Sequence, residues 1–295
     1  MTLFQAIILG IVQGLTEFIP VSSTAHLVFA SRVLGLYDGV KAGLRAEQTT
    51  ATIAVVQLGT LLAVLIYFAR DIVNITEGFV RDHLAMIKPA DTDVRVPRLS
   101  QEAMLGWLVI IGSVPVAVVG LLFKKQIEGT FTKNLWVIAT MMIVVAIFLA
   151  LAEMVGKRNR SMADLGVGDA LAVGFAQCLA LIPGASRSGS TIMAGLFAGE
   201  MRETAARFSF LLSMPAILAS GLLELREAIN KLPAGNYGSL AVATIVSGII
   251  GYASIWFLLR YLRTHSTGVF IAYRLIIGSA ILVALFSGHL SAAVK

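Results

Sequence analysis

Three ionisable residues lie inside apolar stretches of this sequence, each near a proline that interrupts its stretch: Glu17, His26 and Arg187. Charged side chains are costly in apolar surroundings, so such residues are functional candidates by default. A carboxylate can hold a cation, an imidazole can move a proton, and a guanidinium can bind a phosphate through two parallel hydrogen bonds. These residue types point to acid–base chemistry on a phosphorylated compound.

Arg187 is surrounded by small and hydroxyl-bearing residues, namely Ser186, Ser188, Gly189 and Thr191. Glycine lets the backbone approach a ligand closely, and the N–H groups at the start of a helix point at an anion lying before them. We predict that this stretch binds phosphate or pyrophosphate. The alternative is that Arg187 pairs with a carboxylate, Glu17, and holds two parts of the chain together.

Gln13 and Glu17 are four residues apart, so their side chains lie on one face of a helix. Oxygen ligands suit Mg²⁺ or Ca²⁺, and two of them leave coordination positions for substrate phosphate and water. The sequence therefore predicts a divalent metal, Mg²⁺ or Ca²⁺, held by Glu17 and Gln13. The competing interpretations are a helix-packing hydrogen bond for Gln13 and a counter-ion role for Glu17.

Three hydroxyl residues and a histidine follow the break at Pro20. Ser23 and His26 are three residues apart, so on a helix they can touch, and a histidine beside a serine can activate it as a nucleophile. Ser22 and Thr24 are predicted to contact the substrate. A helix-capping role for Ser22 or Ser23 and a structural role for His26 are the alternatives.

The composition is that of a helical integral membrane protein. Of 295 residues, 57% are apolar and 14% are charged, and the mean hydropathy is +0.85. A soluble globule needs more polar residues to cover its surface, and a disordered chain has far fewer apolar ones. The single cysteine, Cys178, excludes a disulfide-stapled domain. The basic residues are scattered, so the net charge of +6 does not indicate nucleic-acid binding.

Six apolar segments are long enough to cross the hydrocarbon core of a bilayer. They are residues 52–68, 104–123, 135–152, 208–223, 240–259 and 269–286. The polar stretch 70–101 between the first two is predicted as a loop. His83 in that stretch, like His265 and His289 elsewhere, is predicted to be solvated.

Two further apolar segments, 2–35 and 166–200, stop at a proline and continue through hydroxyl residues into a short second stretch. They share a Gly-x-x-Gln-x-Leu pattern at an offset of 164 residues and a Pro-x-x-Ser pattern at an offset of 163. Broken backbone at membrane depth is tolerated where it lines a polar cavity, which is typical of re-entrant hairpins.

The shared patterns predict an all-α polytopic membrane protein built from two repeats, residues 1–155 and 156–295. Each repeat is a re-entrant helical hairpin followed by three transmembrane helices. Because three is odd, the second repeat must be inverted relative to the first. Counting loop Lys and Arg, and leaving out Arg32, Arg187 and Arg274, gives 12 on one side and 8 on the other. The positive-inside rule places the richer side in the cytoplasm and both termini outside.

Two long motifs resemble those of the undecaprenyl-diphosphate phosphatases, also called bacitracin-resistance proteins. Residues 13–26, QGLTEFIPVSSTAH, are similar to the family's (Glu/Gln)-x-x-x-Glu region. Residues 183–191, PGASRSGST, match its P-G-x-S-R-S-G-x-T signature at every fixed position. The resemblance extends over the whole chain. Gln13 is one departure, because many members have Glu there, and a neutral amide weakens the case for two carboxylates on a metal.

The resemblance implies a multi-pass enzyme of the bacterial inner membrane with a metal-dependent active site facing the periplasm. It would hydrolyse undecaprenyl diphosphate to the monophosphate, a lipid carrier used in peptidoglycan synthesis, and would contribute to bacitracin resistance. The implied roles are Glu17 as metal or catalytic carboxylate, Ser23 and His26 as nucleophile and base, and Ser186, Arg187 and Thr191 as phosphate ligands.

Several alternatives stay open at this point. The nucleophile is Ser23, His26 or a metal-bound water. A lipid-phosphate or phosphate carrier could be built on the same inverted repeats, since broken helices are common in transporters. A carrier would need no nucleophile. The sequence also leaves open whether the protein forms a homodimer.

Overall fold

The computed structural model describes residues 1–36, 42–87, 99–123, 134–231 and 237–291, with the backbone alone for 42–47, 220 and 222–231. These residues form eleven α-helices and no β-strand. In chain order the helices are α1 (Leu3–Phe18), α2 (Ser23–Val33), α3 (Ala42–Tyr67), α4 (Ala69–Ile87), α5 (Gln101–Leu122), α6 (Leu135–Val155), α7 (Val167–Cys178), α8 (Arg187–Phe197), α9 (Arg202–Lys231), α10 (Tyr237–Leu262) and α11 (Gly268–Phe286).

In both broken segments the helix is interrupted at the proline. Thr2 caps α1, and α1 ends just before Pro20. In the second segment, α7 tightens into one 3₁₀ turn over Leu179–Leu181 before Pro183. Short helices, α2 and α8, follow the breaks. Proline has no N–H to donate and disfavours a helical residue before it, so local sequence alone accounts for both breaks.

Among the residues that the structure describes, five helices are long and apolar enough to cross a membrane. They contain the segments Gln48–Tyr67, Gln101–Leu122, Leu135–Val155, Tyr237–Leu262 and Gly268–Phe286. They confirm five of the six predicted spans. The sixth, 208–223, lies within the 30-residue helix α9.

The prediction of a loop over 70–101 was wrong for its first half, which forms α4; residues 88–98 lie outside the described part of the chain. The apolar side chains of α4 recur at helical spacing, and Phe79 packs beside Gly106 of α5. His83 is not simply solvated, because its Nε2 accepts from the Trp107 indole at 3.1 Å. Hydrogen bonds from Ser100 lower the pKa of Asp82 to about 2 and join the two helices.

Close helix packing depends on small residues. Gly10 and Gly14 of α1 face α10 so closely that a Cβ at Gly10 would lie 2.5 Å from the Ala243 carbonyl oxygen. In the second half, a Cβ at Gly174 of α7 would lie 2.3 Å from the Gly112 carbonyl oxygen of α5. Small residues at such crossings allow close approach of helices in lipid. Thus α1 packs against α10, and α7 packs against α5.

Contacts between helix ends define two ends of the molecule. At the Glu153 end, the Glu153 carboxylate at the end of α6 accepts from Arg202, the first residue of α9, and from Thr267, just before α11. At the Trp136 end, Trp136 at the start of α6 packs edge-on against Phe286 at the end of α11. Residues 68–71, 153–160, 200–207 and 260–267 come together at the Glu153 end, as the contact of Arg207 with Asp71 and that of Arg263 with Glu203 show.

Candidate active site

Helix α1 presents Gln13 and Glu17 on one face, as their spacing predicts. The Gln13 amide donates to Glu17 Oε2 at 3.0 Å and to the Thr60 hydroxyl at 3.3 Å. Gln13 therefore makes the packing hydrogen bond that was one of the alternatives. Its carbonyl oxygen, Oε1, is buried and has no hydrogen-bond partner among the described groups. An amide oxygen in that state is free to accept from, or coordinate, a ligand.

Glu17 and Arg187 form an ion pair between residues 170 positions apart. Arg187 Nη2 donates to Glu17 Oε1, and the Glu17 side chain is only 6% exposed. A buried charge without a partner would be strongly destabilising, so the two residues hold each other in the site. The structure therefore shows the pairing alternative. It also leaves the remaining guanidinium donors of Arg187 able to bind an anion.

The turns before α2 and α8 share an unusual backbone. Ser22 and Ser186 stand immediately before these helices with φ of 79° and 69°. That left-handed region is uncommon for residues with a Cβ, and it is often found at functional sites. Ser186 caps α8 by accepting from the Gly189 N–H at 3.2 Å. Ser22 occupies the capping position of α2, but its side chain makes no capping hydrogen bond.

His26 is held at both ring nitrogens. Nδ1 lies 2.7 Å from the Ser22 carbonyl oxygen, and Nε2 lies 2.6 Å from the Tyr273 hydroxyl of α11. Because a carbonyl oxygen only accepts, Nδ1 carries a proton. Ser23 is the first residue of α2 and is half-buried, and Thr24 is exposed. The described contacts of the His26 ring nitrogens do not include the Ser23 hydroxyl.

The hydroxyl residues around Arg187 fall into two groups. Ser186 and Ser188 bring their hydroxyls within 3.2 Å of each other at the start of α8. Thr191 is fully buried and donates to the Arg187 carbonyl at 2.7 Å, with Ser209 of α9 beside it. The Ser190 hydroxyl is buried without a partner among the described groups. The predicted phosphate-binding residues thus share one helix start, where α8 directs its free N–H groups.

Arg274 joins the two turns, and sequence reasoning missed this role. Its guanidinium donates to the carbonyl oxygens of Pro20 at 3.2 Å and of Gly184 and Ala185 at 3.0 Å each. It also donates to two carbonyls of α6, Met141 and Met142. The side chain is fully buried. The available signal was an arginine inside an apolar span, but its acceptors are backbone atoms that no sequence pattern marks.

The second turn fits its surroundings tightly. Gly184 has a φ of +91°, and a Cβ there would lie 2.2 Å from the Ile138 carbonyl oxygen of α6. A Cβ at Gly189 would lie 3.3 Å from Arg274 Nη1. Only glycine can adopt the Gly184 conformation at this distance from the neighbouring backbone. Both turns therefore meet around the Arg274 guanidinium, with Arg187 and His26 just beyond them on α8 and α2.

A buried carboxyl group lies at the far end of α8. Glu200 is fully buried, and neither of its oxygens has a hydrogen-bond partner among the described groups. Burial, with a smaller contribution from the neighbouring Asp169, raises the pKa of Glu200 to about 7, and Arg160 opposes this rise. Arg160 is itself held by Asp169 at 2.5 Å. This group lies at the Glu153 end and not beside the two turns.

The donor set suits a shared cation site. The free Gln13 Oε1 and the Glu17 carboxylate are hard oxygen donors of the kind that Mg²⁺ and Ca²⁺ prefer. The described residues contain no group of three or more His, Cys, Asp or Glu arranged to hold a metal ion. A cation that uses these two residues would therefore complete its coordination with substrate oxygens and water.

Comparison with known proteins gives one family over nearly the whole chain. The family model described as "Bacitracin resistance protein BacA" matches residues 6–280. A protein of Syntrophobacter fumaroxidans is 51% identical over 286 residues, covering 97% of this chain and 98% of its own length. Proteins of Chlorobaculum tepidum and Chlorobium phaeobacteroides are 47% and 48% identical, over 98% and 99% of this chain and 99% and 100% of their own lengths. All three relatives are named undecaprenyl-diphosphatase.

Proposed function

The chain belongs to the BacA family of bacitracin resistance proteins, and from this membership and its site we infer that it is an undecaprenyl-diphosphatase. It hydrolyses undecaprenyl diphosphate to undecaprenyl phosphate and inorganic phosphate, and so recycles the lipid carrier for peptidoglycan synthesis. The single observation that carries the site assignment is the meeting of Glu17 and Arg187, 170 residues apart, beside two helix starts.

Substrate binding exchanges one partner of Arg187 for another. In the structure the guanidinium pairs with Glu17. A diphosphate head group that reaches the two turns offers oxygens of higher charge, which Arg187 can bind bidentately. The helices α2 and α8 that follow the two turns have free N–H groups at their starts, and Ser186, Ser188 and Thr191 lie at the start of α8. The prenyl chain stays in lipid.

Phosphoryl transfer then needs positioning and charge stabilisation more than covalent chemistry by the protein. Ser23 is the proposed nucleophile: its oxygen bonds to the terminal phosphorus as the bond from that phosphorus to the bridging oxygen breaks. Undecaprenyl phosphate leaves, and water cleaves the phosphoserine to release inorganic phosphate. His26 is the proposed base for the proton of the attacking hydroxyl; because its described ring contacts are with Ser22 and Tyr273 and not with Ser23, the proton has to reach it through another group. A histidine nucleophile remains the alternative, and phosphate trapped on His26 in a Ser23→Ala variant would replace the serine mechanism.

A divalent cation, Mg²⁺ or Ca²⁺, is part of the proposal. Glu17 and the free oxygen of Gln13 would hold it next to Arg187. When bound, it would neutralise charge on the diphosphate oxygens. The Gln13 side chain is held in place by its hydrogen bonds to Glu17 and to Thr60.

The proposed architecture is a pair of inverted repeats, residues 1–155 and 156–295, each with a re-entrant hairpin and three spans. Matched packing supports it: α1 lies on α10 as α7 lies on α5, while α3 packs with α9 and α6 with α11. The hairpin α1–α2 opens toward the Trp136 end, because Leu34 accepts from Gln5 there, and α7–α8 opens toward the Glu153 end, where Arg160 binds Asp169 and Ala198.

The protein is a multi-pass membrane protein. We place it in the bacterial inner membrane, with the more basic Glu153 end in the cytoplasm and the active site reached from the periplasmic side. The lipid bilayer supplies its substrate, so no soluble partner is needed for turnover. Whether two copies associate can be measured by the mass of the protein in nanodiscs.

The test is phosphate release from undecaprenyl diphosphate by the purified protein, with and without chelator. Arg187→Ala and His26→Ala should abolish release. Arg263→Ala and His265→Ala are matched controls, because they remove the same side chains from exposed positions at the Glu153 end. Release should be lost in chelator and restored by Mg²⁺ or Ca²⁺.

The result that would overturn the proposal is a folded wild-type protein that binds the lipid and releases no phosphate. That outcome would favour the lipid-phosphate carrier, which needs Arg187 for charge matching but has no use for His26. Release that persists in chelator would instead remove only the cation from the proposal.

A further inference from the structure

The Tyr273 hydroxyl contacts Nε2 of His26, the ring nitrogen that can still accept a proton. Nδ1 already donates its hydrogen to the Ser22 carbonyl at 2.7 Å. In the neutral ring, Nε2 then has a single lone pair in the ring plane, and the Tyr273 hydroxyl lies 2.6 Å from it. A proton that enters the ring in this geometry therefore enters through the Tyr273 oxygen.

The two rings are held as a pair. Their centroids are 5.6 Å apart and their planes differ by 14°. Tyr273 precedes Arg274, whose guanidinium fixes the carbonyl of Pro20 and so the turn that leads to α2. Ser22, which accepts from Nδ1, lies in that same turn. The contact of Arg274 with Pro20 thus ties α11, which carries Tyr273, to the turn that holds His26.

We propose that Tyr273 is a catalytic proton relay between His26 and the attacking hydroxyl or water. The Tyr273 hydroxyl gives its hydrogen to His26 Nε2 while its oxygen accepts the hydrogen of the attacking group. The phenol is neutral before and after the step, and the ring becomes an imidazolium that still donates to Ser22. In reverse, the same path returns the proton to the phosphate product. A phenol can do this because it both donates and accepts.

The inference rests on the proposed phosphatase activity, so wild-type turnover is measured first; its absence would overturn the activity and the relay together. The charged group that acts on His26 is Arg274, on the same helix as Tyr273. It is not altered by the variants below.

The experiment compares Tyr273→Phe with Tyr261→Phe. Tyr261 is a matched control because its ring also stacks on a histidine, His265, with centroids 4.5 Å apart, at the end of α10. Tyr273→Phe should lower kcat by about 100-fold or more, the usual scale for proton transfer by a positioned side chain, with KM changed by less than about twofold. Tyr261→Phe should change neither constant.

A second readout separates a relay from a structural role. In mixtures of H₂O and D₂O, a plot of wild-type kcat against the fraction of D₂O should be curved, because two hydrogens move in one step. The same plot for the residual rate of Tyr273→Phe should be linear. An unchanged or raised kcat would overturn the relay, and so would a loss accompanied by an unchanged curved dependence.

Replacement of Tyr273 by difluorotyrosine keeps the ring and the hydroxyl, so it tests the same idea if the phenylalanine variant does not fold. A more acidic phenol loses its hydrogen at lower pH and then has none to give to Nε2. The alkaline limb of the pH–rate profile should therefore move to lower pH. A profile that stays where it is in the wild type would overturn the relay.

Discussion

The contact of Arg274 with both turns can be tested by a substitution that keeps its charge, Arg274→Lys. The guanidinium reaches five backbone carbonyl oxygens, three in the turns and two in α6. An ammonium has three donors at one point, so at least two of the five carbonyls lose their charged donor. Lysine also lacks the planar, forked set of donors with which the guanidinium contacts both turns at once.

The expected loss of stability depends on which carbonyl oxygens lose their hydrogen-bond donor. Those of Met141 and Met142 belong to α6 and can accept from the helix itself. Those of Pro20, Gly184 and Ala185 have no other donor among the described backbone hydrogen bonds. Leaving a buried carbonyl unsatisfied costs about 1–3 kcal/mol, so losing two of these costs about 2–6 kcal/mol. If the activation barrier rises by even the lower value, about 2 kcal/mol, the rate falls roughly 30-fold.

The assay measures thermal unfolding in detergent and phosphate release for Arg274→Lys and for Arg260→Lys. Arg260 is a fair control because it is exposed and lies over the Trp256 ring at the end of α10. We expect Arg274→Lys to unfold at lower temperature and to lose most of its activity, while Arg260→Lys keeps both. A lysine variant with wild-type stability and rate would refute the idea that this guanidinium holds the turns.

Three further predictions address other parts of the structure. Gly184→Ala should lower the unfolding temperature and the activity, because its Cβ has no room and φ is +91°, whereas Gly120→Ala in open space should not; equal behaviour would contradict this. Because the pKa of Glu200 is raised to about 7, the folded state binds more protons than the unfolded state, so stability should fall by about 3 kcal/mol between pH 4.5 and 8. In Glu200→Gln the melting temperature should lose this dependence, and an unchanged slope would argue against it. Glu17→Gln leaves Arg187 buried without its carboxylate and should cost about 3–5 kcal/mol, partly recovered by added phosphate; a melting temperature insensitive to both would contradict the pairing.

Local rules allowed the sequence to predict the frame of the site. Proline and glycine act on their own neighbourhood, so the breaks at Pro20 and Pro183 could be placed before any contact was known. The spacing of Gln13 and Glu17 fixed their common face for the same reason. The contact of Glu17 with Arg187 was one of two stated alternatives, because opposite charges in apolar sequence leave few choices of partner.

Other parts depend on contacts that the sequence does not mark. Tyr273 is an aromatic residue in an apolar span, where nothing in its neighbourhood distinguishes a contact with His26 from a contact with lipid. The alignment of the two broken segments by sequence pattern also differs by one residue from their alignment by backbone conformation. The Pro-x-x-Ser pattern aligns Ser23 with Ser186, but the backbone aligns Ser22 with Ser186, because these two precede α2 and α8 with positive φ. The turn after Pro183 is one residue longer than the turn after Pro20, and only the structure shows where it ends.

The long separation between Glu17 and Arg187 has a consequence for how the protein is made. A ribosome that adds roughly 5–20 residues per second needs about 10–30 s to advance the 170 residues from one to the other. During that time α1 is complete, but its carboxylate has no cation to pair with. The growing chain therefore has to keep α1 in polar surroundings, such as the interior of the insertion machinery, until α8 arrives. A substitution that delays α8 would lengthen this wait and expose the chain to degradation before any enzyme exists.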